Sequence, residues 1–307
     1  MATGLDLLKS ANIHSAVKDP DVAHVVIGFN EVISSHSLPG LDVQTDPFED
    51  GVTVAITLAG GTNIAKPVHM CFGLLQEEGI QKVDLDLTIE DDAGMEVIAH
   101  CVFPNATDVQ HLMDGRLTLG ANARFDYRER HIHSRHGGVN VIPKAVVALG
   151  EGARYRTVFE LIEGRVGMID MTYEATCAAH SVLEMEARIS AKADDIVKIN
   201  EIGHLLGEGA RGALTSRVAV RDTATADVYN KLTASAAGAR GHVDCKEIIQ
   251  GDGKVSATPI VEVTHPKAHV THEAALGSVD QKQLETLMAR GLDEDAASDL
   301  IIQGMLT

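Results

Sequence analysis

The chain has 307 residues, enough at roughly 100 to 200 residues per domain for one large or two modest domains with a buried core. Its 26 Lys and Arg against 44 Asp and Glu leave a formal charge of −18, which argues against a general grip on nucleic acid or on anionic lipid. Six Phe, four Tyr and no Trp are too few aromatics for a helical globule of this size, so aliphatic and small side chains must fill the interior.

In chain order, Met1 to Val17 has no basic start followed by a long apolar run, so no secretory signal is expected. No stretch approaches the ~18 consecutive apolar residues of a membrane span. Residues 1–45 read as an N-terminal segment, with a short amphipathic start (Leu7, Leu8, Ala11) and a strand at Val25-Val26-Ile27. Residues 46–276 carry short β-branched runs with a period of two, such as Val52-Thr53-Val54-Ala55-Ile56 and Val83-Asp84-Leu85-Asp86-Leu87. A small-residue-plus-arginine motif recurs through them, ending at Arg124, Arg154, Arg188, Arg211 and Arg240, at separations of 30, 34, 23 and 29 residues. Strands between regularly spaced small corners predict an all-β solenoid, with a β-sandwich as the alternative. Residues 277–307 predict a helical hairpin: Ser278 and Gln281 have capping-box spacing, Gly291 is placed to stop the first helix and Asp293 to cap the second. Leu284, Leu287 and Met288 line one face of the first helix, and Ala296, Ala297, Leu300 and Ile301 one face of the second. The hairpin either covers the end of the solenoid or offers a docking surface.

Four cysteines, Cys71, Cys101, Cys177 and Cys245, lie far apart without a CxxC pair and read as thiols in a reducing cytoplasm. There is no nucleotide-binding GxxxxGK[ST], and His272-Glu273 lacks the second histidine of a zinc-protease motif. On a strand, Glu129, His131 and His133 would share a face suited to a metal, but Arg128, Arg130 and Arg135 would repel a cation, so a solvated turn around His131, His133 and His136 is the favoured reading. Cys245 precedes Glu273 by about one repeat, which would place a thiolate and a carboxylate on neighbouring rungs as an iron site. A core cysteine beside a polar turn is the blander reading, and it carries more weight from pattern alone. An extended strand would turn His272 away from Glu273.

Val270-Thr271-His272-Glu273-Ala274, Asp280-Gln281-Lys282-Gln283-Leu284 and Ala289-Arg290-Gly291-Leu292-Asp293-Glu294 resemble the C-terminus of the SufB/SufD family of iron–sulfur cluster assembly proteins. Gly238-Ala239-Arg240-Gly241-His242-Val243-Asp244-Cys245 and Ile98-Ala99-His100-Cys101-Val102-Phe103-Pro104 resemble the two SufB segments that hold its functional cysteines. The resemblance implies a right-handed parallel β-helix ending in a helical hairpin that docks a SufC-type ABC ATPase, here through Leu284, Leu287, Met288, Arg290, Gly291 and Leu292. It implies Cys245, Glu273 and His272 as ligands of a transient iron–sulfur cluster and Cys101 as the acceptor of sulfur from a donor. Thr271 stands where SufB commonly has an acidic residue. The expected function is a cytoplasmic scaffold, not an enzyme, that works as a homodimer, binds no nucleotide itself and passes clusters to recipient apoproteins. The alternatives are a degenerate structural partner of an ABC ATPase, and a β-helix carbohydrate lyase or hydrolase using Asp194 and Asp195.

Overall fold

The computed structural model describes residues 4–306, so the outermost residues of the N-terminal segment and of the terminal hairpin lie outside the described residues. The chain opens with α1 (Gly4–Ser10), then β1 (His24–Gly28), β2 (Glu31–His36), β3 (Leu41–Phe48), β4 (Gly51–Leu58), β5 (Val68–Gly73) and β6 (Glu78–Ile89). It continues through β7 (Gly94–Phe103), β8 (Asp108–Leu119), β9 (Arg124–His133), β10 (Val139–Leu149), β11 (Arg154–Leu161), β12 (Gly167–Cys177) and β13 (Val182–Ala191). The last strands are β14 (Ile196–Leu205), β15 (Arg211–Val220), β16 (Thr225–Ala234), β17 (Arg240–Ile249), β18 (Lys254–Val263) and β19 (His269–Ser278), followed by α2 (Gln281–Met288) and α3 (Glu294–Leu306).

From β4 onward successive strands alternate between two sheets, and within each sheet every strand pairs in parallel with the strand two places away. The result is a parallel β-helix of a 10-stranded and a 9-stranded sheet. The period of two seen in the sequence is the in-out alternation of each strand. In β9, Phe125, Tyr127, Glu129, His131 and His133 face the interior, while Arg124, Asp126 and Arg130 face outward or to the rim. Aliphatic side chains fill most of the coil. Six of the ten aromatics lie on β7 to β12, where Phe125 and Tyr155 stack at 5.8 Å and Phe103, Phe125 and Phe159 are fully buried.

The corners explain the repeat. Asn122, Gly152, His180, Gly209 and Gly238 all have φ between 55° and 70°, the left-handed conformation that turns the chain into the next strand. Three of the five are glycine because it alone adopts that conformation without cost. Arg124 pairs with Arg154, and Arg211 with Arg240, as the motif implies. Arg188 does not belong to that series. It lies inside β13 opposite Arg217, and Val182 holds the corner position between Arg154 and Arg211. The rung is therefore 28 to 30 residues long throughout this region, and the irregular 34 and 23 came from taking Glu186-Ala187-Arg188 as a corner.

The two ends differ. At the first, β2 and β3 run antiparallel to β1 and β4, and α1 with the turn after it packs Leu7, Leu8 and Ala11 on the outer face of β1, β5 and β7 against Val26, Cys71 and Val102. At the second, β18 and β19 form the edges of the two sheets. Both are ten residues long and carry exposed apolar side chains, with Val263 45% and Leu276 52% accessible. Long uncovered edges with apolar side chains are what folded chains normally avoid or pair.

Candidate functional site

Two clusters of buried polar side chains stand out among the described residues. The first lies on β7 and β9. Cys101 stands opposite His131 in the parallel register, and Glu129 is two residues before His131 on the same inward face. All three are buried, and their ligand atoms lie within 4.8 Å of one another. The Cys101 thiol points at Glu129 Oε1 (3.9 Å), which also meets His131 Nε2 at 2.8 Å, while Tyr173 donates its hydroxyl to Glu129 Oε2 at 3.1 Å. His131 Nδ1 lies 3.1 Å from His133 Nε2, and His133 Nδ1 lies 3.2 Å from the Arg165 carbonyl.

The sequence reading that favoured a solvated turn here is corrected. Alternation sends Arg128 and Arg130 toward the outer face, where Arg130 pairs with Glu160, and sends Glu129, His131 and His133 into the coil. Only His136 and Arg135 occupy the exposed turn. Burial pushes the Glu129 carboxyl up to about 7, against the opposing effect of His111, Tyr173, Tyr127 and Cys101. Burial, reinforced by Glu129, raises the Cys101 thiol well above its ordinary range. Burial lowers His131 to about 3, and burial with His131 nearby lowers His111 to about 3 as well. The histidines are neutral imidazoles, the form that binds metals.

The second group lies on the rungs near the open end. Cys245 is fully buried on β17 and stacks on Ser216 of β15. The Asn230 amide approaches its Sγ to 3.6 Å. Turned so that its nitrogen donates to the Tyr229 carbonyl (3.1 Å) and Glu201 Oε2 (3.2 Å), the amide presents its oxygen to the thiol. Ser216 donates to Glu247 Oε1 at 2.8 Å. Burial raises Glu201 to about 8 and Glu247 to about 7, and it raises the Cys245 thiol despite its hydrogen bonds to Ser216 and Asn230.

Cys245 and Glu273 do lie on neighbouring strands, but the register at this rung is 29 residues, not 28. Cys245 pairs with Ala274, and Glu273 with Asp244. Within one chain the alternation therefore puts His272 on the same face as Cys245 and Glu273 on the opposite face. His272 and Glu273 are both exposed. Asp194 and Asp195, the residues of the lyase alternative, both bind Arg165. Asp195 is buried and also accepts the backbone N–H groups of Lys192 and Gly167, so it is a corner brace.

Residues 75–305 match the family model described as SUF system FeS cluster assembly, SufBD core domain. The chain belongs to the SufBD family. It is similar to an iron–sulfur cluster assembly SufBD family protein of Methanocaldococcus jannaschii, 35% identical over 298 residues that cover 95% of this chain and 94% of that one. A SufBD family protein of Pyrococcus horikoshii is 33% identical over 302 residues, covering 98% and 92%. The SufB protein of Bacillus subtilis is 33% identical over 72 residues, 23% of this chain and 16% of that one.

The SufBD hairpin differs in detail from the sequence reading. Asp280, not Ser278, caps α2, accepting the Gln283 N–H at 2.7 Å, because Ser278 is still the last residue of β19. Gly291 turns the chain with φ 97°, and Asp293 accepts the Ala296 N–H at 2.8 Å at the start of α3. α3 turns Ile302 and Leu306 onto Ala219, and Arg221 pairs with Asp299 at 2.5 Å, so the hairpin sits on the outside of the sheet. Ala297 is buried as expected, whereas Ala296 and Leu300 are exposed because the contact face is rotated toward Ser298, Ile302 and Leu306. Of the docking set, Leu284 is buried in the hairpin and Leu287 and Leu292 are half-buried, while Met288, Arg290 and Gly291 are exposed.

The sequence reading did not join Cys101 to Glu129 and His131. The signal was present: Cys101 and His131 are one 30-residue rung apart, the same interval as Arg124 and Arg154.

Proposed function

We infer that this chain is the SUF-system scaffold on which an iron–sulfur cluster is assembled as cargo, with ATP hydrolysis left to a SufC-type ABC ATPase. A file of buried polar groups inside an aliphatic coil carries this reading: Cys101, Glu129, Tyr127, Tyr155, Tyr173, Glu201, Asn230 and Cys245 follow one another toward the open end. Burying polar groups costs stability wherever they lack hydrogen-bond partners, as Tyr127 Oη and Glu201 Oε1 do, so a file of them in an aliphatic coil points to a role other than packing.

In this proposal Cys101 receives sulfur from a persulfide donor. Its proton passes to Glu129 as Glu129 hands its own to His131 Nε2, its thiolate attacks the terminal sulfur, the donor's S–S bond breaks and the donor leaves as a thiolate. The polar file leads the sulfur to Cys245, where iron joins it. Thiolate sulfur is the soft anionic donor that iron–sulfur clusters prefer. His272 shares the face of Cys245, and Glu273 completes the ligand set where two copies pair through the free β18 and β19 edges. A carboxylate in place of a further thiolate weakens retention, which suits a cluster that must leave for an apoprotein. The exposed Met288, Arg290 and Gly291 are where the ATPase docks. Four free cysteines suit a reducing compartment such as the cytoplasm.

Anaerobic reconstitution with iron and sulfide tests the reading. The native chain should turn brown, Cys245→Ser should lose most of the colour, and Glu273→Ala should hold the cluster less tightly. An unchanged spectrum in the Cys245→Ser protein removes Cys245 from the ligand set, and a monomer in solution scattering with the ATPase bound removes the homodimer.

A further inference from the structure

The hydrogen bonds around Glu129 determine where the protons sit. The Arg165 carbonyl can only accept, so His133 Nδ1 carries the hydrogen in their 3.2 Å contact, and with no carboxylate on this buried ring His133 Nε2 is the acceptor. His131 Nδ1, 3.1 Å from that nitrogen, must then be the donor, which leaves His131 Nε2 bare. This bare nitrogen faces Glu129 Oε1 at 2.8 Å. Two acceptor lone pairs hold that distance only with a cation between them, either a proton on Glu129 or a metal ion. The Tyr173 hydroxyl on Glu129 Oε2 and the relay from His131 through His133 to a backbone carbonyl are the outer hydrogen bonds that orient ligands in metal sites.

A second observation points to the same place independently. His111 on β8 is 1% exposed, and neither of its ring nitrogens has a partner. Its ring lies 6.2 Å from that of His131 and 5.0 Å from that of Phe103, so it borders the same chamber. An imidazole buried with both nitrogens unsatisfied is costly, and a bound ligand removes that cost.

We propose that Cys101, Glu129 and His131 bind one divalent first-row transition-metal ion inside the coil, with His111 beside it to hydrogen-bond a water in the fourth position. The protein donors would be one sulfur, one oxygen and one nitrogen, a set suited to tetrahedral Fe²⁺ or Zn²⁺ and unsuited to Ca²⁺ or Mg²⁺. The site is separate from Cys245, Glu273 and His272, and it stands whether or not a cluster forms there. A metal ion and an incoming sulfur atom would exclude each other at Cys101, so metal loading would block sulfur acceptance at that thiol.

Cobalt(II) is the probe. Anaerobic titration of the metal-free full chain with Co²⁺ should saturate at one ion per chain, giving a thiolate-to-cobalt charge-transfer band and the intense visible bands of a four-coordinate ion. Cys101→Ser should abolish the charge-transfer band, His111→Gln should weaken binding about tenfold or more, and Cys245→Ser should leave the spectrum unchanged. Glu129→Gln keeps the side-chain shape and should also weaken binding, so the proposal stays falsifiable if the cysteine variant does not fold. It is overturned if no thiolate band appears, if the band survives in Cys101→Ser, or if Cys245→Ser removes it. The last result would place the cobalt at the cluster site and leave the scaffold reading intact.

Discussion

Phe159→Ala is expected to lower the unfolding free energy by about 3–5 kcal/mol, seen as a drop in the urea midpoint with little change in slope. Phe159 is 1% exposed, pairs with Glu129 in the parallel register, and packs its ring 4.6 Å from that of His131. Its removal takes away transfer energy and opens a void that one rung cannot close alone, because β11 is tied by backbone hydrogen bonds to β9 and β13 and cannot move inward without them. Phe159→Leu keeps most of the volume and should cost less than half as much. A loss below about 1 kcal/mol for the alanine variant would mean that the interior collapses around the gap and is not held open by the sheets.

The metal-free chain should be most stable near pH 6.5 and lose stability on both sides. Burial raises Glu129 and Glu247 to about 7 and Glu201 to about 8. A raised carboxyl contributes stability that is complete below its ordinary pKa of 4.5 and disappears as pH rises through its folded value. Burial lowers His111 and His131 to about 3, His100 to about 4 and His133 well below 6.5. A lowered histidine contributes stability that is present above its ordinary pKa of 6.5 and is lost as pH falls toward the folded value. Each group changes stability by about 1.4 kcal/mol per pH unit within its window. From pH 8 to 6.5 the carboxyls act alone and acid stabilises; from 6.5 to 4.5 the two sets nearly cancel; below 4.5 the histidines act unopposed and stability falls steeply. Urea midpoints at these pH values check the profile. A midpoint at pH 8 above that at pH 6.5 would mean that the buried carboxyls are already ionised in the fold at pH 6.5.

The solenoid was legible because its two determinants are local. Strand alternation is written in runs such as Val52 to Ile56, and the left-handed corners require small residues at Gly152, Gly209 and Gly238 whatever surrounds them. Arg188 misled because a mid-strand Glu-Ala-Arg has the same letters as a corner, and only backbone conformation separates them. The buried site was half legible. The period of two puts Glu129, His131 and His133 on one face, but closeness in sequence makes Arg128 and Arg130 look like neighbours of the same space. A strand separates such neighbours by the full thickness of the sheet, with the charges in water and the imidazoles in the core.

The sequence alone determined the coil, its helical hairpin and, through Val270-Thr271-His272-Glu273 and Gly238 to Cys245, its family. Only the tertiary structure decided which residues meet. A shift of one residue in register moves a side chain to the other face of a sheet, so 28 against 29 residues separates Glu273 from Cys245, while a 30-residue rung sets Cys101 against His131. That register is settled by hydrogen bonding along the whole stack of strands, and no local stretch of sequence carries it.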